Sequence, residues 1–237
     1  MAQKFLIIQT AFIGDVVLAT GIAEKLHQHF PGAEIDFLLR KGNEGLLANH
    51  PFIHEVLVWN KKENKFTNLW KLLLKIRKNR YDKVINIQRF ASTGFLTGFS
   101  AAKEKIGFKK NPFSFLFTKK IKHSIGAAAV TKHEIERNHE LISSFTDNHP
   151  SKPRLYPSAA DYSKVLPFKQ QLYITVSPAS VWFTKQYPVK KWISFINKLP
   201  SQYHVYLLGA PGDNKIAVEI MNEVQHPAVI NLCSIFH

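Results

Sequence analysis

The sequence predicts an α/β fold with mostly parallel sheets, divided into two doubly wound domains. Short apolar segments alternate with longer amphipathic segments, which is the pattern of strands joined by right-handed helical crossovers. This alternation lapses in a proline-rich stretch over residues 147–171 and then resumes. We therefore expect a first domain over residues 1–150, a linker over 151–171 and a second domain over 172–237.

The first strand and helix are predicted between Lys4 and Pro31. Residues 5–8 form a continuous apolar run, typical of a parallel strand that is covered on both faces. From Val16 to Leu26, apolar residues recur at spacings of three and four, and the predicted helix stops before Pro31. Asp15 lies at the corner between the two elements, where α/β sheets collect ligands and catalytic groups. The alternative role of Asp15 is an N-cap that accepts backbone N–H bonds.

The rest of the first domain continues the same alternation of strands and helices. Each predicted strand is a short apolar segment, and each predicted helix has apolar residues on one face. Strands are predicted over residues 34–39, 54–59 and 81–88, and helices over residues 42–49, 66–78, 91–102 and 133–145.

The second domain has fewer predicted elements than the first. Strands are expected over residues 172–178, 203–213 and 228–232, with helices over residues 189–199 and 214–224. Three strands are fewer than an independent doubly wound domain normally uses. We therefore expect the second domain to be incomplete.

Charge is the clearest compositional feature. The chain has 32 Lys and Arg residues against 17 acidic ones, a formal net charge of +15, and such an excess favours anionic partners or surfaces. Aromatic residues lie among the basic ones at residues 103–122, a pattern that suits a nucleic-acid groove or a membrane surface with anionic head groups. No zinc-finger, RNA-recognition or KH signature is present, so we predict no nucleic-acid partner.

The expected compartment is the cytoplasm. The single cysteine, Cys233, fits a reducing environment, and the chain shows neither a signal-peptide pattern nor an apolar run of about 18 residues.

His133 and His139 lie with Glu136 and Glu140 at helical spacings, but they do not form an HExxH motif. We interpret them as exposed helix residues and predict no metal.

Five segments occur in a fixed order along the chain: IIQTAFIGDVVLATG, HPFIHEVLVW, YDKVINIQ, SPASVWFTKQYPVKKWISFI and LLGAPGD. Together they resemble the bacterial heptosyltransferases, glycosyltransferase family 9. The resemblance implies a GT-B architecture of two Rossmann-like domains with the active site in the cleft between them. It also implies transfer of a heptose from ADP-heptose to the lipopolysaccharide inner core, with inversion at the anomeric carbon and no cofactor besides the nucleotide-sugar donor.

On the acceptor side, the family's GD pair falls on Gly14 and Asp15. The resemblance thus makes Asp15 the general base that deprotonates the acceptor hydroxyl. Arg89 follows the strand predicted over residues 81–88, and its position at a strand end makes it a candidate contact for an anionic acceptor. The resemblance further implies an anionic lipopolysaccharide-core acceptor and peripheral contact with the inner-membrane surface.

On the donor side, the family's K-x-W-P element matches residues 185–188, with Tyr187 in place of tryptophan. Lys185 would neutralise charge on the departing diphosphate, and its alternative is an ordinary solvated lysine. Asp213 matches the acidic residue that approaches the adenosine ribose, and its alternative is again an N-cap. Ser177, Ser180 and Thr184 are further candidates, as hydrogen-bond donors to the phosphate oxygens of the nucleotide sugar. Gly209 is the last candidate, because a glycine lets the nucleotide approach the backbone closely.

One family motif has no match in the sequence. The D-[ST]-G-x-x-H segment that helps to hold the donor is absent, and the sequence stops where the family continues from its N-L-x-G element. We therefore expect an incomplete donor site. Two alternatives stay open beside the transferase: a non-catalytic Rossmann-like remnant that binds anionic glycolipid, and a dinucleotide-binding oxidoreductase, which the missing GxGxxG after the first strand disfavours.

Overall fold

The computed structural model describes residues 2–123 and 132–236. It divides the chain into two compact units, Met1–Pro157 and Ser158–His237. Each unit has its own parallel sheet and its own apolar core. The predicted α/β class is confirmed for both units.

Unit 1 contains a parallel sheet of six strands in the order β3-β2-β1-β4-β5-β6. This is the classic doubly wound order, in which the chain reverses direction across the sheet between β1 and β4. The strands are β1 (Lys4–Ile8), β2 (Glu34–Arg40), β3 (Glu55–Trp59), β4 (Lys83–Asn86), β5 (Glu104–Phe108) and β6 (Lys119–Ile121). The helices are α1 (Ile13–His29), α2 (Lys65–Asn79), α3 (Ala91–Gly98) and α4 (Glu134–His139).

The apolar run of β1 is buried on both faces, as its sequence predicts. Phe5 and Ile7 pack into the core that includes residues of α1, whereas Leu6 and Ile8 pack into the core that includes residues of α2 and α3. Successive side chains of a strand point to opposite faces, so a central strand covered by helices on both sides must be apolar throughout.

Several elements of unit 1 differ from the sequence prediction. Strands β5 and β6 were not predicted, because lysines interrupt their short apolar segments. Residues 42–49 contain only a 3₁₀ turn at Glu44–Leu47 instead of a helix, α3 ends at Gly98, and α4 ends at His139. Short segments such as these carry too little hydrophobic periodicity to fix their type or their ends.

Residues 151–171, which the sequence predicts as a linker, are divided between the two units. Up to Pro157 they pack on α1: the Arg154 backbone N–H donates to Thr20 Oγ1 at 2.9 Å, and the Tyr156 hydroxyl donates to Glu24 Oε1 at 2.8 Å. From Ser158 onward they belong to unit 2 and form α5 (Ala159–Val165). Side-chain contacts, rather than proline content, decide where this segment belongs.

Unit 2 contains a parallel sheet of three strands in the order β7-β8-β9. The predicted strands and helices are confirmed, with ends that shift by a few residues. They are β7 (Tyr173–Val176), α6 (Val189–Ile196), β8 (His204–Leu207), α7 (Asn214–Glu223) and β9 (Val229–Asn231). No helix among the described residues is long and apolar enough to span a bilayer.

Candidate functional site

The topological switch point of unit 1 lies between β1 and β4. The two strands are adjacent and parallel, and Ile8 near the end of β1 pairs with Asn86 at the end of β4. After β1 the chain crosses to β2, and after β4 it crosses to β5, so the two connections diverge and leave a crevice at the carboxyl ends of the strands. The loops that follow β1 and β4 line this crevice.

Asp15 is located in the first turn of α1, beyond the end of β1. Its Oδ2 atom accepts the backbone N–H of Phe12 at 3.0 Å, so the carboxylate closes the first turn of the helix. Within the described residues its Oδ1 atom accepts no hydrogen bond. A Cβ atom at the neighbouring Gly14 would meet nothing within 4 Å, so the space beside Gly14 is open.

A buried polar network connects the two loops at the switch point. The Thr10 hydroxyl donates to Gln88 Oε1 at 2.7 Å, and both side chains are almost fully buried. Lys61, which follows β3, donates from Nζ to Thr10 O at 2.7 Å and to Thr10 Oγ1 at 2.9 Å. Three separate stretches of sequence therefore meet at the carboxyl ends of the strands.

The ammonium group of Lys61 is held in an unfavourable electrostatic environment. Burial, together with the positive charges of Arg40 and Lys65, lowers its pKa from 10.5 to about 8. The ammonium also lies 4.7 Å from the centroid of the Trp59 ring. In the part of the chain that the structure describes, no carboxylate lies within ion-pair distance of Lys61, which makes its charge available to an anionic ligand.

Asn111 fixes the start of the connection that follows β4. It is 2% exposed, and its Nδ2 atom donates to Gln88 O at 3.2 Å and to Phe90 O at 3.0 Å. Its Oδ1 atom accepts the N–H of Phe113 at 2.9 Å. A Cβ at Gly94 would come within 1.9 Å of Asn111 Oδ1, so only glycine leaves room for this arrangement in α3.

The candidate acceptor residues Asp15, Gly14 and Arg89 all follow β1 or β4. Arg89 is exposed in the loop after β4, and the Arg40 guanidinium at the end of β2 lies 4.7 Å from the centroid of the Phe12 ring. Neither arginine forms an ion pair with any carboxylate of the described residues. The loops at the carboxyl ends of the unit 1 strands therefore carry the half-buried carboxylate of Asp15 and three cations, Lys61, Arg89 and Arg40, that have no carboxylate partner among the described residues.

In unit 2, the loop after β7 carries Ser180, Thr184 and Lys185. The Ser180 hydroxyl accepts the Trp182 N–H at 3.2 Å, and the Ser180 carbonyl accepts from Gln186 Nε2 at 2.8 Å, so this loop is tied together by short-range bonds. Thr184 and Lys185 are exposed in a 3₁₀ turn, Phe183–Lys185. Their donor groups are free to meet a ligand.

The loop after β8 carries Gly209 and Asp213. Asp213 Oδ2 accepts the Ala210 N–H at 2.8 Å and closes the turn before α7. A Cβ at Gly209 would lie 2.8 Å from Asp213 Cβ and 3.0 Å from Cys233 Sγ, so the turn requires glycine there. Ser177 directly follows β7. Because β7 and β8 are parallel neighbours, all six predicted donor-side residues follow adjacent strand ends of one sheet.

His133 and His139 lie at the two ends of α4, before its first residue and at its last. Among residues 2–123 and 132–236, no group of three or more His, Cys, Asp or Glu side chains has the geometry to hold a metal ion. The prediction that His139 is an exposed helix residue is wrong. His139 is 5% exposed, because its ring packs under the end of α4 with Nε2 2.6 Å from Asp147 O, and burial lowers its pKa.

Sequence reasoning did not identify Thr10, Lys61, Gln88 or Asn111. Each lies in a loop or at a strand end, and a lone Thr, Lys or Asn in such a position carries no motif. The available signal was positional: Thr10 and Gln88 follow two strands that the sequence does predict, and polar residues at parallel strand ends mark ligand sites. The contribution of Lys61 depends on how β3 pairs, which the sequence leaves open.

Comparisons with known proteins give a consistent picture. A family model described as glycosyltransferase family 9 (heptosyltransferase) matches residues 69–235. Lipopolysaccharide heptosyltransferase 1 of Pseudomonas aeruginosa is 22% identical over 212 residues, or 80% of this chain and 56% of the relative. Its counterpart in Campylobacter coli is 26% identical over 109 residues, or 46% of this chain and 32% of the relative. The matches thus span less than two thirds of these relatives.

Solved structures share the fold. A glycosyltransferase family 9 protein from Veillonella parvula has a TM-score of 0.81 at 18% identity, covering 97% of this chain and 70% of that one. ADP-heptose lipopolysaccharide heptosyltransferase II of Escherichia coli has a TM-score of 0.77 at 19% identity, covering 98% and 72%. A further E. coli heptosyltransferase, solved with ADP, has a TM-score of 0.69 at 21% identity, covering 97% and 74%. These likenesses confirm the predicted GT-B fold class. With a family model that covers well over half of its residues, the chain belongs to glycosyltransferase family 9.

Proposed function

We propose that the protein is an inverting glycosyltransferase that moves a heptose from ADP-heptose to the lipopolysaccharide inner core, with Asp15 as general base. The observation that carries this proposal is the Asp15 carboxylate at the switch point of unit 1. One of its oxygens is held by the Phe12 N–H, and the other is free within the described residues. A base needs both properties, because it must be oriented and must still accept a proton.

The reaction is a direct displacement at the anomeric carbon. The acceptor hydroxyl attacks this carbon while its proton passes to Asp15 Oδ1, and the bond between the anomeric carbon and the diphosphate oxygen breaks with its electron pair leaving on ADP. The Phe12 N–H keeps Oδ2 in place during the transfer. General-base assistance of this kind typically contributes about 10² to 10⁴-fold to the rate.

The cations at the same sheet edge support an anionic acceptor. Lys61 and Arg89 have no carboxylate partner among the described residues, and an acidic or phosphorylated inner-core sugar would supply the missing counter-charge. The Thr10–Gln88 bond holds the Lys61 ammonium at the ends of β1 and β4. In this proposal, Lys61 joins Gly14 and Arg89 on the acceptor side.

Unit 2 supplies the donor side. Lys185 would neutralise the charge that develops on the leaving diphosphate, with hydrogen bonds from Ser180 and Thr184 to phosphate oxygens. Asp213 would accept from the ribose hydroxyls, and Gly209 would allow the nucleotide to approach the backbone. The relative that was solved with ADP makes a nucleoside diphosphate the natural first ligand to test.

The decisive experiment compares Asp15→Asn with Asp15→Ala. Asparagine keeps an oxygen that accepts the Phe12 N–H, so the helix start is preserved, whereas alanine removes both the cap and the base. We expect both variants to lose about 10² to 10⁴-fold in transfer of radiolabelled heptose to a deacylated inner-core acceptor. We expect only Asp15→Ala to lose stability as well, by about 1 kcal/mol.

Full turnover by Asp15→Asn would remove Asp15 from the mechanism. Binding of the acceptor by the unsubstituted chain without any transfer would instead support the non-catalytic remnant. A thermal shift with ADP, but none with NAD, would favour the transferase or the non-catalytic remnant over a dinucleotide-binding oxidoreductase.

We also propose that the protein works on the cytoplasmic side, peripherally associated with the inner membrane. The support is its net charge of +15 and an acceptor that is anchored in lipid. A basic protein gains about 1 kcal/mol for each Lys or Arg held near an anionic leaflet.

A further inference from the structure

An unusual aromatic surface is formed by α2, α3 and the turn after β5. The aromatic rings contact one another in a continuous series: Trp70 to Phe95 at 5.7 Å, Phe95 to Phe113 at 6.1 Å and Phe113 to Phe115 at 6.1 Å between centroids. Trp70 is 58% exposed and Phe115 is 70% exposed. We call this surface the aromatic patch; it comprises Phe66, Trp70, Leu74, Phe95, Phe99, Phe113 and Phe115.

The outer face of α2 extends the patch. Phe66, Trp70 and Leu74 are spaced four residues apart, so they share one face of the helix, and they are 73%, 58% and 62% exposed. The apolar face of α2 that packs on the sheet is a different one, formed by Leu72, Leu73 and Ile76. The core does not require the exposed apolar stripe, and a clustered stripe of this kind marks an interaction surface.

Positive charge surrounds the patch. Residues 65–80 contain six basic residues and no acidic residue. The Arg77 Nη1 atom donates to Phe99 O at 3.2 Å and the Lys105 Nζ atom donates to Gly98 O at 3.4 Å, which holds both cations at the end of α3. Within the described residues, Lys71 and Lys78 of α2 have no acidic partner. A ligand for this surface must therefore bind aromatic side chains and carry negative charge.

We propose that the aromatic patch docks on a bilayer that contains anionic lipids. Aromatic rings favour the head-group level of a membrane, and basic side chains around them meet the lipid phosphates. A second copy of the chain would bring like charges together, so charge complementarity favours the anionic lipid over self-association. This inference deepens the membrane association in the proposed function, and it does not depend on heptose transfer.

The test is flotation of the full chain with vesicles that contain neither acceptor nor donor. One set contains phosphatidylethanolamine and phosphatidylglycerol, and the other contains phosphatidylcholine alone. We expect binding to the anionic vesicles at least about tenfold stronger than to the neutral ones, with a loss in high salt. The double variant Phe66→Ser/Trp70→Ser should weaken binding to the anionic vesicles by about tenfold or more.

The chain offers a matched control at the end of α5, where Tyr162 lies in the helix and Leu166 directly follows it. Tyr162 and Leu166 are also four residues apart and are 59% and 58% exposed, but they lie in unit 2 and outside the patch. The variant Tyr162→Ser/Leu166→Ser should bind the anionic vesicles as the unsubstituted chain does. A second variant, Lys71→Gln/Lys78→Gln, keeps the aromatic residues and should weaken binding by removing charge alone.

Equal binding to both kinds of vesicle, or equal loss in the patch and control variants, would overturn the proposal. A dimer in lipid-free solution that Phe66→Ser/Trp70→Ser dissociates would assign the patch to self-association instead. Circular dichroism of each variant confirms that it is folded. The flotation assay contains no sugar substrate. Vesicle binding can therefore succeed where heptose transfer fails, and heptose transfer can succeed where vesicle binding fails, so the two proposals are tested separately.

Discussion

Replacing Lys61 with glutamine is expected to stabilise the folded protein at pH 7 and to weaken its binding of anionic ligands. The Lys61 ammonium is half-buried, faces the positive charges of Arg40 and Lys65, and has no carboxylate partner in the described part of the chain. An unpaired cation in such a place costs folding free energy, which a binding site tolerates because a ligand recovers it. Glutamine removes the charge and retains a group that donates to Thr10 O.

The size of the effect follows from the pKa of Lys61, which burial lowers from 10.5 to about 8. Taken in full, this lowering corresponds to about 3 kcal/mol between the charged and neutral forms. Solvent screening of a half-buried group reduces that amount, and losing one of the two bonds to Thr10 costs about 1 kcal/mol. We therefore expect a net gain of about 1 kcal/mol for Lys61→Gln at pH 7.

The pH dependence has a definite sign. The folded-state pKa lies below the unfolded value, so between about pH 8 and 10.5 the unfolded state binds more protons, and stability must rise with pH. Below pH 8 the full cost of the charge is present. The unsubstituted chain should gain stability across this window relative to Lys61→Gln, and the difference between the two should shrink as Lys61 loses its proton.

Urea unfolding of both proteins at several pH values between 7 and 10 measures this difference, with Lys61→Arg as the control that keeps its charge throughout. The KM for the anionic acceptor should rise for Lys61→Gln and much less for Lys61→Arg. Burial of Lys61 does not destabilise the protein if Lys61→Gln is the less stable variant at pH 7 and its difference from the unsubstituted chain does not change up to pH 10.

Two further predictions concern buried hydrogen bonds in unit 1, each measured by urea unfolding. Asn111→Ala removes bonds to Gln88 O and Phe90 O and the acceptor for a third backbone group, so we expect a loss of about 2 to 4 kcal/mol; an unchanged midpoint would show that water replaces these bonds. Tyr81→Phe removes the hydroxyl that donates to the buried Asp36 carboxylate, which should cost about 1 to 3 kcal/mol, and a neutral result would mean that Asp36 finds another donor.

The sequence predicted those parts of the fold whose periodicity is strong. The apolar run of β1 and the recurring apolar residues of α1 give a clear signal, because β1 is buried on both faces and α1 is buried around most of its circumference, including all of residues 19–23. Strands β5 and β6 lack such a signal. They form at one side of the sheet, where pairing with a neighbour compensates for their short and partly charged segments.

The same division applies to the two surfaces for which we propose a function. Local sequence places Asp15 at a strand-to-helix corner, since the strand, the glycine and the helix lie within a few residues of one another. It also reveals the excess of positive charge and the aromatic residues among the lysines. What it leaves open is which of these residues face one another.

Only the tertiary structure decided that Lys61 meets Thr10 and that Trp70 meets Phe95. The first contact depends on the pairing of β3 with β2, and the second on the packing of α2 against α3. Neither is encoded in a local pattern, because long-range pairing is a property of the whole sheet and its helices. Residue types and local periodicity thus determined the elements and the Asp15 corner, whereas strand order and helix packing determined the cation site and the aromatic patch.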